Sequence, residues 1–229
     1  MNKSTKIFFM SIIATIAICL LIGFKVRSSI KDLDFKDISN QSNQYKYDIR
    51  PVRSDIEDLN IESVKSELED KSDLIVRGKF TGQRKILYGC VLSEVSIVNT
   101  YKGDAKSEYI YIYEPIKYNL FKNDINIKGV AISSSGYGLI KENKEYMFFL
   151  KEESVSPGFN ELKKSTKSYT YENDQFGKFS IEYDKNDYKI LKATDDKLYN
   201  QVIDCEQVFS SEEVFEFYNK LRETILNKY

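Results

Sequence analysis

Three tyrosines at alternate positions, Tyr109, Tyr111 and Tyr113 in SEYIYIYEP, are the residues of this chain best suited to hold a ligand. In a strand they stand in a row on one face, with Ile110 and Ile112 on the other. Aromatic faces in a row supply stacking to sugar rings or to bases. The competing reading is that the row packs against another element with its hydroxyls reaching water. Basic and acidic residues balance, 34 Lys and Arg against 35 Asp and Glu, so no positive field draws nucleic acid to such a face.

Catalytic constellations are harder to assemble. The chain has no His, which removes Ser-His and Cys-His nucleophiles and His-ligated zinc together. Carboxylates cluster at Asp55, Glu57 and Asp58, at Glu67, Glu69 and Asp70, at Glu152 and Glu153, at Asp195 and Asp196, and at Glu212 and Glu213. None has the alternation and Gly turn of a calcium loop, and most read as solvated faces. Ser133-Ser134-Ser135-Gly136 lacks the S-x-x-K spacing that would recruit Lys128 or Lys141, so it reads as a loop of small residues. No catalytic residue, metal ligand or cofactor is therefore expected. Cys90 and Cys205 are either a disulfide closing a long loop or two buried thiols.

The elements that must position these residues begin with an apolar run, Ile7 to Phe24, IFFMSIIATIAICLLIGF, with no charge and no Pro. As a helix its about 18 residues span roughly 27 Å, close to the hydrocarbon core of a bilayer. It is longer than a secretory signal's apolar region, and the nearest cleavage-like triplet, Val26-Arg27-Ser28, contains a charge, so retention as an anchor is expected over removal. A buried core helix is the other alternative, but the run has no polar stripe. Cys19 follows Ile18, not a small residue, and reads as an apolar residue of the span. The short tail, residues 1–6, stays inside, which puts the remainder outside the cell membrane. Lys, Asn, Ile and Tyr are abundant and Trp is absent, the usage of an AT-rich, Gram-positive genome.

Residues 25–53 are polar, rich in Ser, Asn, Gln and Lys, and read as a flexible stalk. The folded part is expected from residue 54. Ser54 and Glu57 have capping-box spacing, and Ile61, Val64 and Leu68 then recur at helical intervals. DLIVRGKF is a strand, Gly82 a turn, and Ile86 to Tyr101 a long strand bulged at Gly89. Lys102-Gly103-Asp104 turns into the tyrosine strand, which Pro115 ends. A strand IKGVAI, the serine loop and a turn KENKE lead to EYMFFLKE, apolar on both faces and so central. SYTYEN and KFSIEYD read as a hairpin, with DYKILKA as a third strand. Ser210 and Glu213 cap a final helix striped by Val214, Phe217, Leu221 and Ile225.

The stretch from Ser72 to Lys151, with VSIVNTYKGD, YIYIYEP and KENKEYMFFL in that order, resembles the netrin/TIMP-like OB-fold domains of bacterial exported proteins. The resemblance implies a five-stranded, partly open Greek-key barrel. The eukaryotic inhibitors of this class chelate a protease zinc through an amino-terminal Cys; none stands at the start of this domain, so inhibition is not implied. The expected fold class is β-rich α+β: an OB-like barrel with its leading helix over 54–155, and a β-hairpin and terminal helix over 156–229 appended to the same domain. The expected function is a non-enzymatic, membrane-anchored extracytoplasmic module that binds an envelope protein or glycan through Tyr109, Tyr111 and Tyr113. The alternatives are a carboxylate-dependent envelope hydrolase, which needs two carboxylates about 5–10 Å apart across a cleft, and an extracytoplasmic sensor.

Overall fold

The computed structural model describes residues 10, 12, 13, 15, 16, 18–20, 34–50, 60–87, 89–105, 107–120, 127–153, 167–191 and 197–229. The chain divides into two units, Met1–Leu33 and Asp34–Tyr229. In the first, the described residues are helical, and Met10, Ile12, Ile13, Ile16, Ile18 and Leu20 expose their side chains. Among the described residues no helix is long and apolar enough to cross a membrane. Much of the expected anchor, 7–24, lies outside them.

The second unit is α+β and strand-rich. Its helices are α1 (Phe35–Asn40), α2 (Ile61–Lys71) and α3 (Glu212–Leu226). The strands are β1 (Tyr45–Arg50), β2 (Leu74–Leu87), β3 (Cys90–Lys102), β4 (Tyr109–Leu120), β5 (Gly129–Ser134), β6 (Glu145–Glu153), β7 (Ser168–Tyr171), β8 (Lys178–Ser180), β9 (Tyr188–Ile190), β10 (Lys197–Leu198) and β11 (Gln207–Phe209). All but β9 and β11 share one mixed sheet, ordered β10-β1-β5-β4-β3-β2-β6-β7, with β8 also on β6.

Five of these strands pair in a closed circuit. β2 pairs β3, β3 pairs β4, β6 pairs both β2 and β7, all antiparallel, and a parallel β4–β7 pairing completes the ring. Alternation along each strand sends one set of side chains inward: Leu74, Val76 and Phe80 of β2, Val95 of β3, Ile110 and Ile112 of β4, Phe148 and Leu150 of β6, Tyr169 and Tyr171 of β7. β2 and β6 are also covered outside. Ile75, Met147 and Phe149 pack there with Val64 and Leu68 of α2 and Val214, Tyr218, Leu221 and Ile225 of α3. That is why EYMFFL is apolar on both faces.

Several sequence expectations are corrected. Residues 34–50, expected within the stalk, are folded. Ile38 of α1 is fully buried, Tyr45 nearly so, and β1 runs parallel to β5 from Tyr45↔Gly129 to Arg50↔Ser134. Two apolar anchors and a strand partner suffice where average polarity suggests a linker. Gly82 and Gly89 exchange roles. Both have positive φ, but Gly82 sits in a bulge of β2 between Phe80 and Arg84, while Gly89 makes the turn between β2 and β3. Pro115 does not end β4. Beside it β4 passes from β7 to β5 on one side and shifts register against β3 on the other, and a residue without an N–H fits the changeover. β7 and β8 do not pair as a hairpin; both lie along β6. The expected third strand, β9, leaves the main sheet to pair β11 in parallel.

At the helix starts, Asn60 caps α2, accepting from Glu62 and Ser63, and the Ser54–Glu57 box falls outside the described residues. Ser211, not Ser210, caps α3 and accepts from Val214 N at 3.4 Å. Tyr218 takes the buried position on α3 that the stripe gave to Phe217, which is only partly buried.

Candidate functional site

Inward Ile110, Ile112 and Glu114 of β4 force Tyr109, Tyr111 and Tyr113 outward, so the expected tyrosine row exists on the outer face of the ring. Tyr109 is 44% exposed, and Tyr111 and Tyr113 are half-buried. At strand pitch, alternate residues are about 6.8 Å apart, a spacing that leaves each ring a separate platform. Across the ladder, Ser96, Glu94 and Leu92 of β3 oppose Tyr109, Tyr111 and Tyr113 in turn.

Glu94 is the polar centre of this face. Its Oε2 accepts from Tyr111 Oη at 3.0 Å, and its Oε1 accepts from Thr81 Oγ1 at 3.0 Å. Thr81 also donates to the Glu94 carbonyl at 3.2 Å, and it can do so because the β2 bulge turns it toward β3. On the other side of β4, Ser168 of β7 is the register partner of both Tyr111 and Glu153. Its hydroxyl is buried and has no hydrogen-bond partner among the described residues. The phenols of Tyr111 and Tyr113 are both raised above their ordinary pKa. For Tyr111 burial comes first, then the hydrogen bond to Glu94 and its charge; for Tyr113, burial, then Cys90 and Glu153. Glu94 and Glu153 thus set negative charge beside Tyr111 and Tyr113.

Inside the ring lies a second polar cluster that the sequence reading missed. The Glu114 carboxylate, with its side chain wholly buried, accepts from five donors. Arg84 Nε and Nη2 reach Oε1 at 3.1 and 2.9 Å, and Ser93 Oγ donates to the same oxygen. Tyr137 Oη and the Ile140 N–H reach Oε2 at 2.9 and 2.8 Å. The Arg84 guanidinium lies between the rings of Phe80 and Phe35, 4.4 and 4.9 Å from their centroids, so α1 closes over it. Burial pushes Arg84 down, and the adjoining Glu114 charge more than reverses that, leaving it raised.

A third cluster surrounds Lys178, which points from β8 into the core and donates to the carbonyls of Gly138 at 2.6 Å and Glu206 at 3.2 Å. Its ammonium is 4.0 Å from the Tyr137 ring centroid. Burial lowers Lys178 to about 8 despite the carboxylates of Glu206 and Glu114. Lys144 bridges Asp187 and Glu206, and Lys141 pairs with Asp187 at 2.6 Å. Glu114, Asp187 and Glu206 are thus each tied to a cation, not set against one another across a cleft. Among the described residues, no group of three or more His, Cys, Asp or Glu side chains is placed to hold a metal ion.

Cys90 and Cys205 are both free thiols: Cys90 is half-buried at the start of β3, and Cys205 is buried before β11. The structure makes no bond between them. Ser133 and Ser134 are likewise structural, Ser133 donating to the Tyr137 carbonyl at 2.7 Å and Ser134 to Asp174 at 2.5 Å. Glu94, Thr81 and Ser168 escaped the sequence reading because only strand register brings them to the row.

No family model matches the chain, and no curated protein matches it. The functional reading therefore rests on the site itself.

Proposed function

We propose that the chain is a non-enzymatic, membrane-anchored binding module of the cell envelope, held outside the cell by residues 7–24. Its ligand surface is the outer face of β3 and β4. The observation that carries this reading is the half-exposed row Tyr109, Tyr111 and Tyr113 set beside a carboxylate fixed by two hydrogen bonds. The buried carboxylates Glu114, Asp187 and Glu206 are each paired with a cation, which favours binding at the surface over carboxylate chemistry in the interior.

The scaffold in this reading is an OB-like barrel. The pairing circuit β2-β3-β4-β7-β6, with a single parallel step between β4 and β7, supports it, since a five-stranded Greek-key barrel closes in this way. The circuit also spans most of the stretch that carries the netrin/TIMP-like motifs. The anchor is supported by the uncharged run from Ile7 to Phe24 and by its exposed apolar side chains.

The test uses the full chain in its native membrane and in detergent. Fractionation with protease treatment of intact cells is expected to place the chain in the membrane pellet and to cut it from outside. Detergent-solubilised wild type is expected to retain a component of envelope extracts that Y109A/Y111A/Y113A retains at least roughly tenfold less well. A cytosolic chain, or equal retention by the two proteins, refutes the proposal.

A further inference from the structure

The ligand of this face can be narrowed by charge. Glu94 stands beside the central tyrosine, and among the described residues no Lys or Arg forms an ion pair with it; its two hydrogen bonds come from neutral hydroxyls, which hold the carboxylate in place and leave its charge uncompensated. Glu153, on the far side of β7, adds a second negative group at Tyr113. The cations on this side are displaced from Glu94: exposed Lys117 stands on the same strand four residues beyond Tyr113. Lys79 and Lys85 lie on β2, one strand beyond Glu94. Lys167 is bound to Glu152 at 2.5 Å. Aromatic faces carry a negative quadrupole of their own, so rings and carboxylates act together. Such a face repels polyanions and attracts a ligand carrying positive charge.

The shape narrows it further. The rings are aligned along one strand as separate platforms, not folded around a single point, so they suit a flat, repeating partner whose rings can stack on them. Resting on the binding-face reading above, we infer that Tyr109, Tyr111, Tyr113 and Glu94 form a subsite for a glycan bearing free amino groups. Sugar rings stack on the tyrosines and an ammonium group faces Glu94.

The experiment titrates the detergent-solubilised full chain with three probes at a pH where amines are protonated. The probes are glucosamine oligomers, their N-acetylated counterparts, and oligolysine. The glucosamine oligomer is expected to bind roughly three- to thirtyfold more tightly than the acetylated one. That preference should shrink with added salt and collapse in Glu94→Gln, while Y109A/Y111A/Y113A loses both sugars. Equal binding of the two sugars, lost together in the tyrosine variant, overturns the ammonium inference and leaves the binding face standing. Tight binding of oligolysine without either sugar overturns the glycan assignment. Sugar binding that ignores the tyrosine substitutions overturns the subsite and the binding face with it.

Discussion

Replacing Glu114 by Gln tests whether the ring is held by its buried charge. All five groups that meet this carboxylate are donors, so a carboxamide cannot satisfy them in either orientation. With its NH2 toward the Oε1 position it opposes Arg84, which can only donate. Turned the other way, it meets the Ile140 N–H, which cannot reverse, although the Tyr137 hydroxyl can rotate toward Tyr171, 2.7 Å away. The substitution also strips the counter-charge from a guanidinium whose side chain is 9% exposed. Breaking a buried pair on one side costs about 3–5 kcal/mol. For a domain of this size that is a fall in Tm of roughly 6–20 °C. The assay is urea and thermal denaturation of the full chain in detergent, with the midpoint compared at unchanged slope. Arg84→Met combined with Glu114→Leu should cost less than the sum of the two single substitutions, because no unpaired charge is left buried. Met keeps the apolar contact with Phe35 and Phe80, and the groups left without partners are the Ile140 N–H and carbonyl and the Ser93 hydroxyl, at about 1–3 kcal/mol each. A loss under about 1 kcal/mol for Glu114→Gln, or a double variant worse than the sum of its singles, would refute the reasoning.

Stability should rise from about pH 8 to about pH 9, level off, and fall beyond about pH 10. Lys178 titrates near 8 when folded, below its ordinary 10.5, so across that window the unfolded chain binds more protons and rising pH favours the fold, by at most on the order of 3 kcal/mol. Cys205 and the core tyrosines Tyr137, Tyr171 and Tyr218, all raised by burial, act in the opposite sense above about pH 9 and pH 10 respectively, so a Tm–pH series on Lys178→Met should show only the decline. Gly136→Ala should cost about 3 kcal/mol or more in urea denaturation, because φ is +73° there and a Cβ would meet the Val208 carbonyl oxygen at 1.8 Å. Removing Lys228 and Tyr229 should lower stability by about 1–3 kcal/mol, since the Tyr229 ring packs 5.0 Å from Tyr101 and 6.2 Å from Phe149 and Lys228 pairs with Glu69; an unchanged midpoint would show these contacts to be incidental.

What could be read from the residues was alternation and its interruptions. EYMFFLKE announced a strand covered on both sides, SEYIYIYEP announced a two-faced one, and the KGD turn and the helix from Ile61 followed from local signals. These features depend on residues near each other in the chain. Pairing does not. Gly82 and Gly89 have nearly the same φ, +87° and +84°, and nothing local decides which one turns the chain back. The decision comes from the partners: Arg84 must oppose Ser93 and Phe80 must oppose Val95, which leaves Thr81, Gly82 and Gln83 against Glu94 alone, two residues in excess on β2. The polar segment 34–50 was misread for the same reason, since its strand is held by backbone bonds to β5 that carry no compositional signature.

The same distinction explains the site. The tyrosine row was visible because it lies within one strand, whereas its polar complement came from β2, β3 and β7. One bulge links fold and site. By setting residues 81–83 against the single residue Glu94, it brings Thr81 to Glu94 and lets Arg84 re-enter the ring to meet Glu114. A deletion of Gly82 that straightened β2 would therefore disturb both clusters at once. It should release Glu94 from Thr81 at the surface and pull Arg84 out of register with Glu114 inside. Loss of stability comparable to Glu114→Gln, together with loss of the Glu94-dependent ligand preference, is the expected result in denaturation and titration of the same variant. A variant that kept its stability while losing the preference would show that the two clusters are not held by the same bulge.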